Sequence, residues 1–325
     1  MSVGAEHPES LDDSADAPPT GSEHATRSSR SLERLSRKAL KRLMDSERAG
    51  RLITRLVGPW VRESSRLTYL ALGEVTRIHE GAATPATSAG QPLTRFERRV
   101  FSQNGEDGVL AELLRRVGAG SRWFVEFGTE NGAEGNCVFL ADVLGWPGLF
   151  IEGDECSYAA LERRYSGNAS VHTQRAVVSP DNVEELFARA GVPPEPAVLS
   201  IDVDGNDYWI WRAITSYSPR IVVIEYNSHW PLHRRWVQRY DPQRVWQADD
   251  YYGASLAAMR SLGEEKGYRL VHTELAGLNA FFVRTDLAGG LPEGDAVPQR
   301  APNLHLKGGF HTTNPAPPPI IDLDA

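Results

Sequence analysis

Cysteine is almost absent from this chain: Cys137 and Cys156 are the two thiols in 325 residues. Two thiols exclude a disulfide framework and a cysteine-rich zinc site. Long apolar runs are also missing, and none approaches the ~18 residues that a transmembrane helix needs. The first residues, MSVGAEHPESLDDSADAPPTGSEH, are acidic and polar, and without an apolar run they do not read as a secretory signal. No G-x-S-x-G elbow occurs and neither cysteine has an evident base partner, so covalent hydrolysis is unsupported. His229 and His233 lie four apart but lack the glutamate of H-E-x-x-H, and Pro231 falls between them, which excludes a zincin. These absences lead us to expect a cytoplasmic protein with no transmembrane segment.

What is present suffices for a sizeable core: 41% of residues are hydrophobic and 24% charged. The net charge of −8 is unevenly spread. Residues 1–30 carry −4 (six acids, two arginines) and lack large apolar side chains, so they read as a disordered tail. Residues 31–80 carry +5 (eleven basic residues, six acids). There Leu32, Leu35, Leu40, Leu43, Leu52 and Leu56 recur mostly at helical steps with Arg and Lys between them. Such a basic amphipathic extension can meet a membrane or nucleic acid, but packing within its own domain or a homo-oligomer contact explains it more simply. We expect no nucleic-acid partner. Residues 81–94 form a Gly/Pro/Ala linker, and the Pro/Gly-rich residues 286–325 an extended tail.

Between residues 95 and 285 short apolar segments alternate with helical ones. Strands are expected at 123–127, 148–153, 170–178, 197–203, 220–226, 268–274 and 278–285, with helices such as 136–144 and 181–191 as crossovers. Strand–helix alternation implies a parallel, doubly wound α/β sheet. The last two strands are separated only by Leu275–Gly277, too short for a crossover, so they should pair antiparallel.

In such a sheet, ligands bind beyond the carboxyl ends of the strands. The first strand ends in Glu126-Phe-Gly128-Thr-Glu130-Asn-Gly132-Ala-Glu134-Gly135, an E-x-G-x-x-x-G turn rather than the dinucleotide G-x-G-x-x-G. Glycine at the tip permits close backbone approach, and the acids repel a diphosphate but suit an ammonium or sulfonium. Glu152, 24 positions beyond Gly128, stands near the spacing at which an acid accepts ribose hydroxyls. A glycine-rich turn and a surface acid account for the same residues without a ligand. The fourth strand ends in Asp202-Val-Asp204-Gly-Asn-Asp207 and the fifth in Glu225-Tyr-Asn227-Ser-His229. So many carboxylates call for a counter-ion or a proton, and an oxygen-only set of Asp202, Asp204, Glu225 and Asn227, with Asp207 in reserve, fits Mg²⁺ or Mn²⁺. The calcium-loop pattern does not fit, because its position 12 holds Ala213. Tyr208, Trp209 and Trp211 have the spacing of core aromatics, whereas Trp230, Trp236, Tyr240 and Trp246 could line a substrate cleft.

Ser102-Gln-Asn-Gly-Glu-Asp-Gly108, Val125-Glu-Phe-Gly128, Phe150-Ile-Glu-Gly153, Ser200-Ile-Asp-Val-Asp-Gly-Asn-Asp-Tyr208 and Val223-Ile-Glu-Tyr-Asn227 together resemble the FkbM-like branch of the class I methyltransferases. The resemblance covers about residues 100–285 and departs from the FkbM Asp-x-Glu-Gly-x-Glu pattern at Asp204 and Asp207. It implies a Rossmann-like seven-stranded sheet with an antiparallel last strand, here with an N-terminal helical extension. It also implies S-adenosyl-L-methionine as cofactor and a role in natural-product or polysaccharide biosynthesis. Glu126 and Gly128, with Gly132 in the same turn, would sit beside the methionine moiety and Glu152 on the ribose. Asp202 would lie near the cofactor's amino group or the substrate, and Glu225 would face the substrate. The expected activity is O-methylation of a sugar or secondary-metabolite hydroxyl, with His229 as the base and Asp202 and Glu225 assisting. The alternatives are a metal-dependent, non-methylating enzyme and a non-catalytic binding module on the same fold.

Overall fold

A computed structural model describes residues 92–300, except 244, 245, 247 and 248, together with 320–325. The described residues all fall within one compact unit of the chain, Thr68–Ala325. The disordered tail, the basic helical extension and most of the linker expected from sequence lie outside the described residues.

The strands form where the sequence is most continuously apolar. They are β1 (Phe124–Phe127), β2 (Gly148–Glu152), β3 (Val171–Arg175), β4 (Val198–Ile201) and β5 (Ile221–Glu225), followed by β7 (Tyr268–Thr273) and β8 (Asn279–Arg284). Every residue of β1, β2, β4 and β5 is buried, as strands covered on both faces must be, whereas β3 at the edge buries only Val171 and exposes His172 and Arg175. The helices are α1 (Glu106–Val117), α2 (Val138–Asp142), α3 (Glu155–Tyr165), α4 (Val183–Ala190), α5 (Asp207–Ala213) and α6 (Leu256–Glu265). Polar side chains start two of them: Asp154 accepts from Ser157 N at 2.8 Å, and Ser255 accepts from Ala258 N at 3.2 Å.

The sheet order is β3-β2-β1-β4-β5-β8-β7. β1 to β5 run parallel, and β8 is antiparallel to both β5 and β7. This is the Rossmann-like, doubly wound seven-stranded sheet expected. Its chain order reverses between β1 and β4, which makes their carboxyl ends the topological switch point. Val125, Phe127, Leu199, Ile201, Val222 and Ile224 pack toward α4, α5 and α6. Phe124, Phe150, Val198, Val223 and Phe281 pack on the opposite face against α1, α2 and Leu161 of α3. Tyr208 and Trp211 belong to the first of these cores, as their spacing suggested.

Two elements were not read from the sequence. The insert between β5 and α6 carries β6 (Trp236–Gln238), which pairs antiparallel with β9 (Ile320–Asp322). Arg235 anchors this small sheet by donating Nε to Asp324 Oδ1 at 2.6 Å. The Pro/Gly-rich stretch from residue 286 is therefore not all extended tail: Leu291 and Val297 are buried, and its last residues return as β9. The linker likewise gives way to structure at Leu93–Phe96, a short 3-10 helix whose Leu93 is buried.

Candidate active site

Sheet register assembles the site. Glu126 is abreast of Ser200 across β1 and β4, and Ile201 is abreast of Ile224 across β4 and β5. One step further along, Asp202 comes level with Glu225, which is itself paired with Asn279 of β8. A row of polar side chains thus lines the carboxyl edge of the sheet, on the face where α1 begins.

Asp202, Asp204 and Glu225 each offer a carboxylate oxygen within 4.8 Å of the others. Asp204 sits at φ +54 and Glu130 at φ +49, left-handed conformations that cost a non-glycine residue about 1 kcal/mol each, and both occupy loop tips at this edge. Asp207 holds the first of these loops. It is fully buried and accepts from Val203 N and Gly205 N, both at 2.9 Å. That leaves it little capacity to serve as a further metal ligand. The Asn227 carboxamide is also committed: Nδ2 donates to the carbonyls of Asp250 and Tyr252, and Oδ1 accepts from His229 N at 2.9 Å. It clamps the insert and fixes the start of the His229 segment. Tyr252, buried in the same insert, has its phenol pushed well up, first by burial and then by Glu225 and Asp202.

The E-x-G-x-x-x-G turn departs from its sequence reading. Glu126 is 4% exposed, and its two oxygens accept from Asn136 N at 2.6 Å and Cys137 N at 2.9 Å. It ties the turn to the start of α2 rather than presenting a free carboxylate to a ligand. A Cβ on Gly132 would fall 2.6 Å from Leu161 Cδ1, so this glycine lets the turn pack on α3. A Cβ on Gly128 (φ +78) would fall 1.6 Å from the Asp202 carbonyl oxygen, so the close approach is to the β4 turn. Glu152 sits where its spacing suggested, at the end of β2. It accepts from Glu130 N and Asp154 N, both at 2.7 Å, through different oxygens. Each oxygen keeps a lone-pair direction for a further donor. Cys137 is buried, its thiol pushed well up first by burial and then by Glu126.

The aromatic residues of the insert form a small core instead of an open wall. Trp230 is buried and meets Trp236 and Tyr251 edge to face, and Trp246 meets Tyr252 in the same way. The Ser102–Gly108 segment has a structural role that sequence reasoning did not assign. Asp107 Oδ2 accepts from Val100 N, Phe101 N, Ser102 N and Ser102 Oγ, and Glu106 accepts from Asn104 N, Gly105 N and Asn279 Nδ2. Two adjacent acids before an apolar helix are a signal for such N-terminal clasps.

Burial, outweighing these hydrogen bonds, raises four carboxyls: Asp107 and Asp207 to about 6, and Glu126 and Glu274 to about 7. An acid whose folded pKa is raised stabilises the fold fully below its unfolded pKa and loses that contribution as pH climbs through the folded value. A two-unit shift is worth on the order of 3 kcal/mol per group. Carboxyls such as Glu112 and Glu184 are held low by hydrogen bonds and ion pairs that outweigh their own burial, and their contribution is lost on acidification instead. The melting temperature should therefore peak near pH 5 and fall toward pH 8. Asp107→Asn should make the alkaline limb shallower, because it removes one of the four raised carboxyls. Melting curves from pH 4 to 9 check this, and a rise in stability toward pH 8 would contradict it.

No family model matches the chain, and no curated protein matches it. Solved structures do. The N-terminal domain of EvdMO1 with SAH bound aligns at 15% identity and TM-score 0.38, covering 55% of this chain and 79% of that one. A SAM-dependent methyltransferase from Aquifex aeolicus aligns at 10% and 0.34, covering 54% and 89%. The mitomycin 7-O-methyltransferase MmcR aligns at 15% and 0.32, covering 55% of each chain. Among the described residues, no helix is long and apolar enough to cross a membrane.

Proposed function

We propose that the chain is an S-adenosylmethionine-dependent methyltransferase that O-methylates a hydroxyl of a sugar or secondary metabolite. The observation that carries this reading is Glu152. It is a nearly buried carboxylate at the end of β2, hydrogen-bonded to the Gly128 turn and still able to accept from two ribose hydroxyls. The donor set fits the cofactor. Thr129 Oγ1, next to Gly128, is buried without a partner, and the acids at the switch point suit a ligand with an ammonium and a sulfonium.

In this reading Glu152 holds the ribose and Asp202 the cofactor's ammonium. When bound, S-adenosylmethionine supplies an electrophilic methyl group. The imidazole of His229 takes the proton that the acceptor hydroxyl releases, and the insert excludes water from the reacting oxygen. Asp202, Asp204 and Glu225 together offer oxygen ligands to Mg²⁺ or Mn²⁺, which would lower the hydroxyl's pKa. The same trio is what favours the second reading, a metal-dependent enzyme that transfers no methyl group.

Calorimetry with S-adenosylmethionine, on protein stripped with EDTA and on protein reloaded with Mg²⁺ or Mn²⁺, tests both readings. Micromolar binding in either state supports the methyltransferase reading, and loss of methyl transfer from the stripped protein that Mg²⁺ or Mn²⁺ restores would assign the trio to the metal. Binding weaker than millimolar in both states would sink the methyltransferase reading.

A further inference from the structure

One side chain against the loop that follows Asp204 is out of keeping with its surroundings. Gln238, the last residue of β6, is 2% exposed, yet neither Oε1 nor Nε2 has a hydrogen-bond partner. Its backbone has no freedom to relieve this. The Gln238 N–H donates to Gly253 O at 2.8 Å, its carbonyl accepts from Trp209 Nε1 at 2.8 Å, and its register partner is Ile320 of β9. The carboxamide lies on Gly205, where an added Cβ would fall 3.0 Å from Oε1 and 3.2 Å from Nε2. Gly205 directly follows Asp204, so the amide is aimed at the loop that carries two of the three carboxylates. A buried amide normally meets most of its hydrogen-bonding capacity, and one that meets none is costly to keep.

We infer that Gln238 reads the acceptor substrate, and that this acceptor presents a vicinal diol. The inference rests on the methyltransferase reading above for the word acceptor, but its chemistry comes from the side chains. A carboxamide carries an acceptor oxygen and a donor nitrogen on one carbon, and a diol matches both: one hydroxyl donates to Oε1 and its neighbour accepts from Nε2. The trio beside it selects further. Carboxylates accept hydrogen bonds and repel anions, so a phosphate or carboxylate ligand is disfavoured and a neutral, hydroxyl-rich one is favoured. A site whose amide is met only by the ligand's hydroxyls discriminates strongly against a deoxy analogue, because the analogue leaves the amide unmet.

The inference makes two linked demands on Gln238→Met, which keeps the volume and removes the amide. Without ligand, the variant should melt about 2–4 °C higher than the wild type, because a buried unmet amide is gone. With ligand, it should bind diols at least tenfold more weakly while its S-adenosylmethionine affinity stays within twofold. The probes are methyl glycosides and cyclitols that cover cis and trans diols, with their deoxy analogues, read by calorimetry. A variant that melts lower than the wild type would mean that ordered water already satisfies the amide, and the inference falls. It falls equally if no diol binds the wild type, or if Gln238→Met weakens diol and cofactor alike. Diol binding that depends on Gln238 in a protein that ignores S-adenosylmethionine would keep this inference and remove the methyltransferase reading.

Discussion

Gly128→Val is expected to prevent folding rather than to empty a binding site. The added Cβ would lie 1.6 Å from the Asp202 carbonyl oxygen and 2.8 Å from its carbon, and neither backbone atom can retreat without parting β1 from β4. The residue is also at φ +78, which a β-branched side chain does not tolerate. Together these effects should cost more than about 4 kcal/mol, a large part of an ordinary domain's stability. Gly128→Ala should already melt far below the wild type, because the clash begins at Cβ. The measurement is a circular-dichroism melt of the soluble fraction. A valine variant with a wild-type melt and no cofactor binding would show that Gly128 serves the ligand after all.

The second large effect belongs to Glu152. Glu152→Ala should weaken S-adenosylmethionine binding by about 1.5–3 kcal/mol, roughly 10- to 150-fold, through the loss of charge-assisted hydrogen bonds to a diol. The structure adds a second consequence. Without this carboxylate, the N–H groups of Glu130 and Asp154 lose their acceptor, so the variant should also melt lower. Binding must therefore be measured well below the variant's own melting temperature. A lower melting temperature with unchanged affinity would make Glu152 only a clasp between the β1 and β2 turns.

Much of the sheet was legible because its strands are buried on both faces. Segments such as Ile221–Glu225 are continuous apolar runs, and each strand of the seven-stranded sheet falls within a few residues of its expected bounds. The antiparallel hairpin followed from the brevity of Leu275–Gly277 alone. β6 and β9 were illegible for the opposite reason. Each has three residues, and the partner of each lies some 80 positions away, beyond anything local periodicity reports.

The seven strands, the antiparallel pairing of the last two and the crowding of acids at the carboxyl ends of β1, β2, β4 and β5 are legible in residue order alone. Those features depend on local burial patterns and on loop lengths, which a chain carries in its own spelling. What each acid does depends instead on the folded backbone around it. Glu126, Glu152, Asp202 and Asp207 are similar carboxylates in similar strand-end motifs. Yet Glu126 and Asp207 are committed to backbone N–H groups, while Asp202 converges with Asp204 and Glu225. Gln238 was invisible until β6 laid it on Gly205. A carboxylate or an amide takes its role from whichever donors and acceptors the folded backbone brings within about 3 Å, and sequence spacing does not encode that distance.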